Sequence, residues 1–220
     1  MVRKKQRFAR PAHDRDFEIT MQELDPRGWL GDVRGKKVLC LAAGGGRQGP
    51  IYAGAGAIVT VVDISSAQLE LDREVAAERK LDLRTVHTSM DDLSMFPVGH
   101  FDLVVQPVST CYVADIRKTY AEVARVVPPG GVYVSQHKQP ISMQASTEST
   151  TNGFEVTTPY FHEGPLPPVA GSLHREEGTL EFLHRWEQLI GEMCRAGFVI
   201  EDLSEPLPVS YTHLTLPTKA

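Results

Sequence analysis

With 220 residues, 41% hydrophobic content and a formal net charge of −5, the chain has the size and composition of one globular domain with a full core. The acidic balance argues against a general nucleic-acid binder, which carries a basic field, and no apolar run approaches the roughly 20 residues of a membrane span. The basic start, Met1-Val-Arg-Lys-Lys-Gln-Arg7, leads into Pro11-Ala-His-Asp14 rather than an apolar stretch, so it reads as a solvated tail and not a secretory leader.

Residues 17–24 carry a helical lead-in that Pro26-Arg-Gly-Trp-Leu-Gly31 breaks, and Gly35-Lys-Lys37 launches a first strand, Val38-Leu-Cys-Leu41. A short helix over 48–55 follows a glycine loop; Pro50 is tolerated in its first turn, where N–H groups lack partners anyway. Residues 58–63 form a second strand, nearly all β-branched, as suits burial on both faces. Ser65 and Gln68 form a capping box, opening a helix to about Lys80 with Leu71 and Val75 on one face. Strands at 83–87 and 101–106 follow, then a helix over 116–126 with Tyr120, Val123 and Ala124 turned inward. Pro128-Pro-Gly-Gly131 ends that helix and turns into a fifth strand, 132–136. This alternation means an α/β, doubly wound, mainly parallel sheet.

Residues 137–175 are rich in Ser, Thr, Pro and Gly and read as a lid or substrate loop inserted in the domain. An amphipathic helix is expected over 179–196, carrying Leu183, Trp186, Leu189, Ile190 and Met193. Gly197 stops it, and 198–203 reads as a sixth strand. The cysteines Cys40, Cys111 and Cys194 are widely spaced and contain no C-x-x-C, which suits a reducing, cytoplasmic compartment. The eight histidines show no metal-ligand spacing, so no structural metal is expected.

The most informative stretch is Val38-Leu-Cys-Leu-Ala-Ala-Gly-Gly-Gly-Arg-Gln48, closed by Val61-Val-Asp63. An apolar strand enters three glycines, a helix follows, and the next strand ends on a carboxylate. Gly44, Gly45 and Gly46 let the backbone turn sharply and approach a ligand. The following helix directs free N–H groups at the same place, and Asp63 can accept hydrogen bonds from a ribose diol. The pattern is a nucleoside-cofactor cradle. Gly44-x-Gly46-x-x-Gly49 also fits the dinucleotide fingerprint. An NAD(P)-binding oxidoreductase is therefore one alternative, although no Tyr-x-x-x-Lys pair accompanies it; a non-catalytic cofactor-binding module is another.

Six segments in order, "GKKVLCLAAGGGRQ", "VVDIS", "SMDDL", "FDLVVQPVS", "VARVVPPGGVYV" and "CRAGFVIEDLSEP", resemble the class I S-adenosylmethionine-dependent methyltransferases over residues 29–206. The resemblance implies a Rossmann-like sheet and S-adenosyl-L-methionine as cofactor. It implies that Ala42, Ala43, Gly44, Gly45 and Gly46 wrap the methionine and ribose, and that Asp63 holds the ribose hydroxyls. Ile64 would lie on the adenine, Ser89 and Met90 along its edge, and Gln106 facing the sulfonium and the substrate. The chain departs from the family pattern at Cys40, where an acid is common, at Ala42, where glycine is common, and at Ser89, where aspartate is common.

Methyl transfer needs alignment more than a base, because the sulfonium is already an activated leaving group. Residues on the loops after the fourth and fifth strands are the catalytic candidates: His137 and Tyr112, with Lys138 beside them. His162, His174 and His184 could contribute from the lid, and Trp29 either closes over the cofactor or packs the lead-in helix. The lid lacks a basic aromatic surface for nucleic acid. Gln106-Pro-Val-Ser109 stands where an amino-methylating enzyme would carry Asn/Asp-Pro-Pro-Tyr/Phe, so the expected acceptor is a small organic molecule. The tail Val209-Ser-Tyr-Thr-His-Leu-Thr-Leu-Pro-Thr218 back-translates to a sequence resembling a transposon-end library adapter. Residues 209–220 are therefore expected to be non-native, with the family's last antiparallel strand missing or replaced by the alternating run 211–216.

Overall fold

Val38, Leu39, Cys40 and Leu41 are all fully buried, and their alternating sides meet two different cores. That is the signature of a strand covered on both faces. The computed structural model describes residues 11–19, 24–170, 172, 175–205 and 216–219. Its sheet has six strands: β1 Lys37–Leu41, β2 Ile58–Asp63, β3 Leu83–His87, β4 Leu103–Gln106, β5 Val132–Ser135 and β6 Leu216–Lys219, in the order β3-β2-β1-β4-β5-β6. The first five run parallel, and β6 is antiparallel to β5. Strand order reverses between β1 and β4, which opens a crevice at their carboxyl ends.

The helices are α1 Gln48–Gly54, α2 Ser66–Arg79, α3 Ile116–Val126, α4 Pro140–Gln144 and α5 Glu192–Arg195. One core joins Leu39, Leu41, Val104 and Tyr133 to Ile116, Tyr120 and Val123 of α3. The other joins Val38, Cys40, Val61 and Val134 to Tyr52 of α1 and Leu69 of α2. Tyr120 fixes α3 against the C-terminal helix by donating its hydroxyl to the Leu189 carbonyl at 3.1 Å. At the start of α2, Ser65 caps the Gln68 N–H at 3.3 Å. The Ser65 N–H itself goes to Asp63 Oδ1 at 2.8 Å, so the expected reciprocal box is half replaced by the strand-end carboxylate.

Of the lead-in, residues 14–17 form a 3₁₀ turn and Leu24 is helical, while 20–23 lie outside the described residues. Two expectations are corrected. The helix expected over 179–196 begins only at Trp186, as a π turn Glu187–Gly191 running into α5. Ahead of it the backbone is taken by other partners: Leu166 N–H donates to the Glu181 carbonyl and Phe182 N–H to that of Cys111. Nor do residues 198–203 form a named strand; Leu216–Lys219 pairs directly with β5. That segment falls within the tail read as non-native, whose residues 209–215 lie outside the described residues.

Candidate functional site

At the switch-point crevice the loop between β1 and α1 turns through Ala42 at φ 48°, Gly45 at φ 133° and Gly46 at φ 74°. The left-handed alanine costs about 1 kcal/mol, so the surroundings must hold it. Ala43 N–H reaches the Val62 carbonyl and Ala12 N–H reaches that of Gly46. Gly44 N–H donates to Asp63 Oδ2 at 2.9 Å, and Gly45 N–H donates to Asp72 Oδ2 at 2.9 Å. A Cβ on Gly44 would lie 2.8 Å from Gln68 Cβ, and one on Gly46 2.8 Å from the Leu71 carbonyl oxygen. The glycines thus serve first to let the loop press onto α2, a use the sequence reading assigned to a ligand.

Asp63 ends β2 half-buried, with one oxygen on Gly44 and the other on Ser65. Burial lifts its pKa above the ordinary carboxylate value, against the pull of the Ser65 and Gly44 amides and of His87. Each oxygen accepts one amide and retains a lone pair for a hydroxyl donor. Beside it Ile64 is 71% exposed, an apolar side chain with an open face. A diol-accepting carboxylate next to an exposed aliphatic face is the donor set a nucleoside requires, so the residues fit S-adenosylmethionine. Ser89 is half-buried past β3, and Met90 is buried with its sulfur 3.3 Å from Gln106 Nε2.

A cavity of about 400 Å³ adjoins the loop through Arg47 and Gln48. Trp29, Leu30, Ile51 and Tyr52 line one side, and Val105, Gln106, Pro107, Val134 and Gln136, at the ends of β4 and β5, line the other. Asp25 organises the approach by accepting the N–H groups of Trp29, Leu30 and Gly31. Trp29 packs the cavity wall with its indole N–H on Asp202 at 3.2 Å. Burial raises the Tyr52 phenol far above its ordinary pKa.

The catalytic candidates lie elsewhere. His137 is 2% exposed, with its ring nitrogens on Thr110 Oγ1 at 3.0 Å and Ser135 Oγ at 2.8 Å. Burial, reinforced by His184, pushes its pKa down to about 3, so it stands as a neutral core residue with both ring nitrogens engaged. Tyr112 donates to Glu176 at 2.8 Å and packs against the Cys111, Met143, Leu166 and Leu183 cluster. Its phenol is driven far up by burial and by the acidic groups around it. Neither residue lines the cavity. Lys138 is bound to buried Glu181 together with Arg175, an ion cluster that ties both ends of the segment 138–175 to Glu181. His184 is spent on the carbonyls of Thr110 and Val113, His162 reaches the Pro165 carbonyl, and His174 lies outside the described residues.

Gln106 needs a correction as well. It lines the cavity, yet its carboxamide is committed inward: Nε2 donates to Ser109 Oγ at 2.9 Å and Oε1 accepts from Tyr133. The residues the sequence reading missed are Tyr52, Gln136 and Asp72. Asp72 had a signal, since it interrupts the apolar face Leu69, Val75, Ala76 of α2 at helical spacing.

The fold and the crevice together define a nucleoside-cofactor enzyme of the doubly wound class. The family model described as "Methyltransferase domain" matches residues 39–135. The chain is 37% identical over 194 residues to the uncharacterized methyltransferase YbaJ of Bacillus subtilis, covering 86% of this chain and 76% of that protein. It is 31% identical over 135 residues to a ubiquinone biosynthesis O-methyltransferase of Aromatoleum aromaticum, and there it spans 57% of its own length and 58% of the relative's. A crystal structure of an S-adenosylmethionine-dependent methyltransferase from Mesorhizobium loti superposes with a TM-score of 0.74 at 20% identity, covering 93% of this chain and all of that one. The chain belongs to the class I S-adenosylmethionine-dependent methyltransferases, and S-adenosylmethionine is its cofactor. That membership sets aside the NAD(P) alternative.

Proposed function

We propose that the protein transfers the methyl group of S-adenosylmethionine to a small organic acceptor held in the cavity between α1 and the ends of β4 and β5. The observation that carries this reading is the cavity itself: about 400 Å³, with Trp29, Leu30, Ile51, Tyr52, Val105 and Val134 in its wall and with Arg47 and Gln48, the residues that follow the cofactor loop, at its edge. A partly open cavity with an apolar wall and polar groups at its edges, among them Asp25, Arg27, Arg47 and Gln136, suits a small ligand. A ubiquinone biosynthesis O-methyltransferase among the relatives, by its name, supports an acceptor of that kind.

In this reading Asp63 accepts the ribose hydroxyls, Ile64 covers the adenine, Ser89 and Met90 border it, and residues 42–46 pass beside the methionine portion. Bound cofactor supplies a methyl group on a sulfonium, already activated for in-line displacement. The protein's part is alignment and exclusion of water. Tyr52 stays protonated, since burial raises its pKa, so its hydroxyl donates a hydrogen bond that orients the acceptor and does not deprotonate it. A cytoplasmic location belongs to the same proposal. The described residues contain no helix long and apolar enough to cross a membrane, and the three cysteines are free.

Incubation with labelled S-adenosylmethionine and a panel of small phenols, amines and carboxylates tests the reading. Transfer of label to one member, with tighter cofactor retention in its presence, supports it. Turnover that Trp29→Ala and Ile51→Ala leave untouched would place the acceptor elsewhere.

A further inference from the structure

The inward face of α2 runs Leu69, Asp72, Val75 and Ala76, which puts one carboxylate among apolar side chains directly under the cofactor loop. Asp72 is fully buried. Its Oδ2 accepts the Gly45 N–H at 2.9 Å, while its Oδ1 has no hydrogen-bond partner among the described residues. A buried carboxyl with a half-filled shell is a cost that leucine would avoid. The loop is therefore gripped by two acids on consecutive amides, Asp63 on Gly44 and Asp72 on Gly45.

The two acids differ in what can reach them. Asp63 is half-exposed and open to ribose hydroxyls, whereas no ligand can touch Asp72 without opening α2. Resting on the assignment of S-adenosylmethionine to this crevice, we propose that Asp72 is a positioning residue for the cofactor. It holds the Gly45 amide, and with it residues 42–46, in the receiving shape whether Asp63 is bonded to the loop or turned to the ribose. The charged groups acting on Asp72 are Asp63 from β2 and Arg73 on its own helix, with the Cys40 thiol facing it from β1. On β3, Arg84 is engaged over the Phe96 ring and His87 on the Ile64 carbonyl; α1 carries no charged residue.

Asp72→Asn keeps an acceptor oxygen of the same reach, and Asp72→Leu keeps the volume but removes the acceptor. Calorimetric titration with S-adenosylmethionine should show Asp72→Asn within about threefold of wild type and Asp72→Leu about tenfold weaker, the loss of one hydrogen bond to a charged group. Equal binding by the leucine variant, or equal loss in both, overturns the proposal. A second measurement needs neither a variant nor the cofactor. In the unliganded wild type, the Gly45 amide proton resonance should move with pH with a midpoint of about 6, following the carboxyl it donates to. A Gly45 resonance that stays flat from about pH 5 to about pH 7.5 also overturns it. Failure of the methyltransferase assignment would look different, as a wild type that titrates at Gly45 yet binds no S-adenosylmethionine.

Discussion

Asp72 also makes a prediction about stability in which the sign matters. Burial raises its carboxyl from the ordinary 3.8 to about 6, Asp63 adds to the rise, and the amides of Gly45 and Gly46 oppose it. Because the folded pKa lies above the unfolded one, the native state binds the extra proton between about pH 4 and about pH 6. Stability therefore falls as pH rises through that window, and the full cost is present above about pH 7. A rise from 3.8 to about 6 corresponds to about 3 kcal/mol. Asn at 72 carries no charge to bury and can still accept from Gly45, but its amide would be left beside the unpartnered side of the pocket, at about 1–2 kcal/mol. The curves should cross. Asp72→Asn is the less stable protein near pH 4 and gains on wild type by about 3 kcal/mol on going to pH 8. For a domain of this size the relative gain is about 6–12 °C in Tm. Urea or thermal melts of both proteins across this range check it. Parallel curves would mean that Asp72 ionises normally in the fold, and the account of its buried charge would be refuted.

Gly46→Ala places a Cβ 2.8 Å from the Leu71 carbonyl oxygen at a φ of 74°; it should cost about 2 kcal/mol or more by melts and weaken cofactor binding in step. His137→Leu leaves the Thr110 and Ser135 hydroxyls without their ring partner. It should lower stability by about 2 kcal/mol while the folded fraction keeps the wild-type pH–rate profile, whereas loss of a proton acceptor would remove the profile's acidic limb. Asp63→Ala removes the two amide contacts at 2.8 and 2.9 Å together with the diol site, and its cofactor Kd should rise by about two orders of magnitude.

The layered fold was legible because its signals are local and repeated. β1 runs into three glycines, β4 into Pro107, and Pro128-Pro-Gly-Gly131 turns the chain into β5, while β2 is β-branched through its centre. The helix expected over 179–196 lost its first part, 179–185, for a different reason. Its amphipathic spacing is real, but Glu181 is drawn into the interior by Lys138 and Arg175, and the backbone beside it pairs with Leu166 and Cys111. Those partners are distant in sequence, and helical periodicity carries no trace of them. The break expected at 26–31 is there as well, and the structure adds what composition does not reveal, that Asp25 gathers three amides into the turn.

The position of His137 away from the cavity has a cause in strand geometry, and it yields a last prediction. Alternation along a strand persists past its final ladder bond. Tyr133, Ser135 and His137 continue one face of β5 and are all buried on the α3 side, while Val134 and Gln136 continue the other face and line the cavity. On β4, Val104 and Gln106 turn their side chains to the α3 side, whereas Val105 and Pro107 face the cavity. Parity thus selects Gln136, not His137, as the polar residue at the end of β5 beside the acceptor. Gln136→Ala should raise the acceptor KM by about tenfold with kcat and cofactor Kd near wild type, the signature of lost ground-state contact. His137→Gln, on the opposite face, should change neither kinetic constant in the folded fraction. Steady-state kinetics on the two variants decides between the faces, and an acceptor KM that responds to residue 137 but not to residue 136 would refute the strand-parity argument.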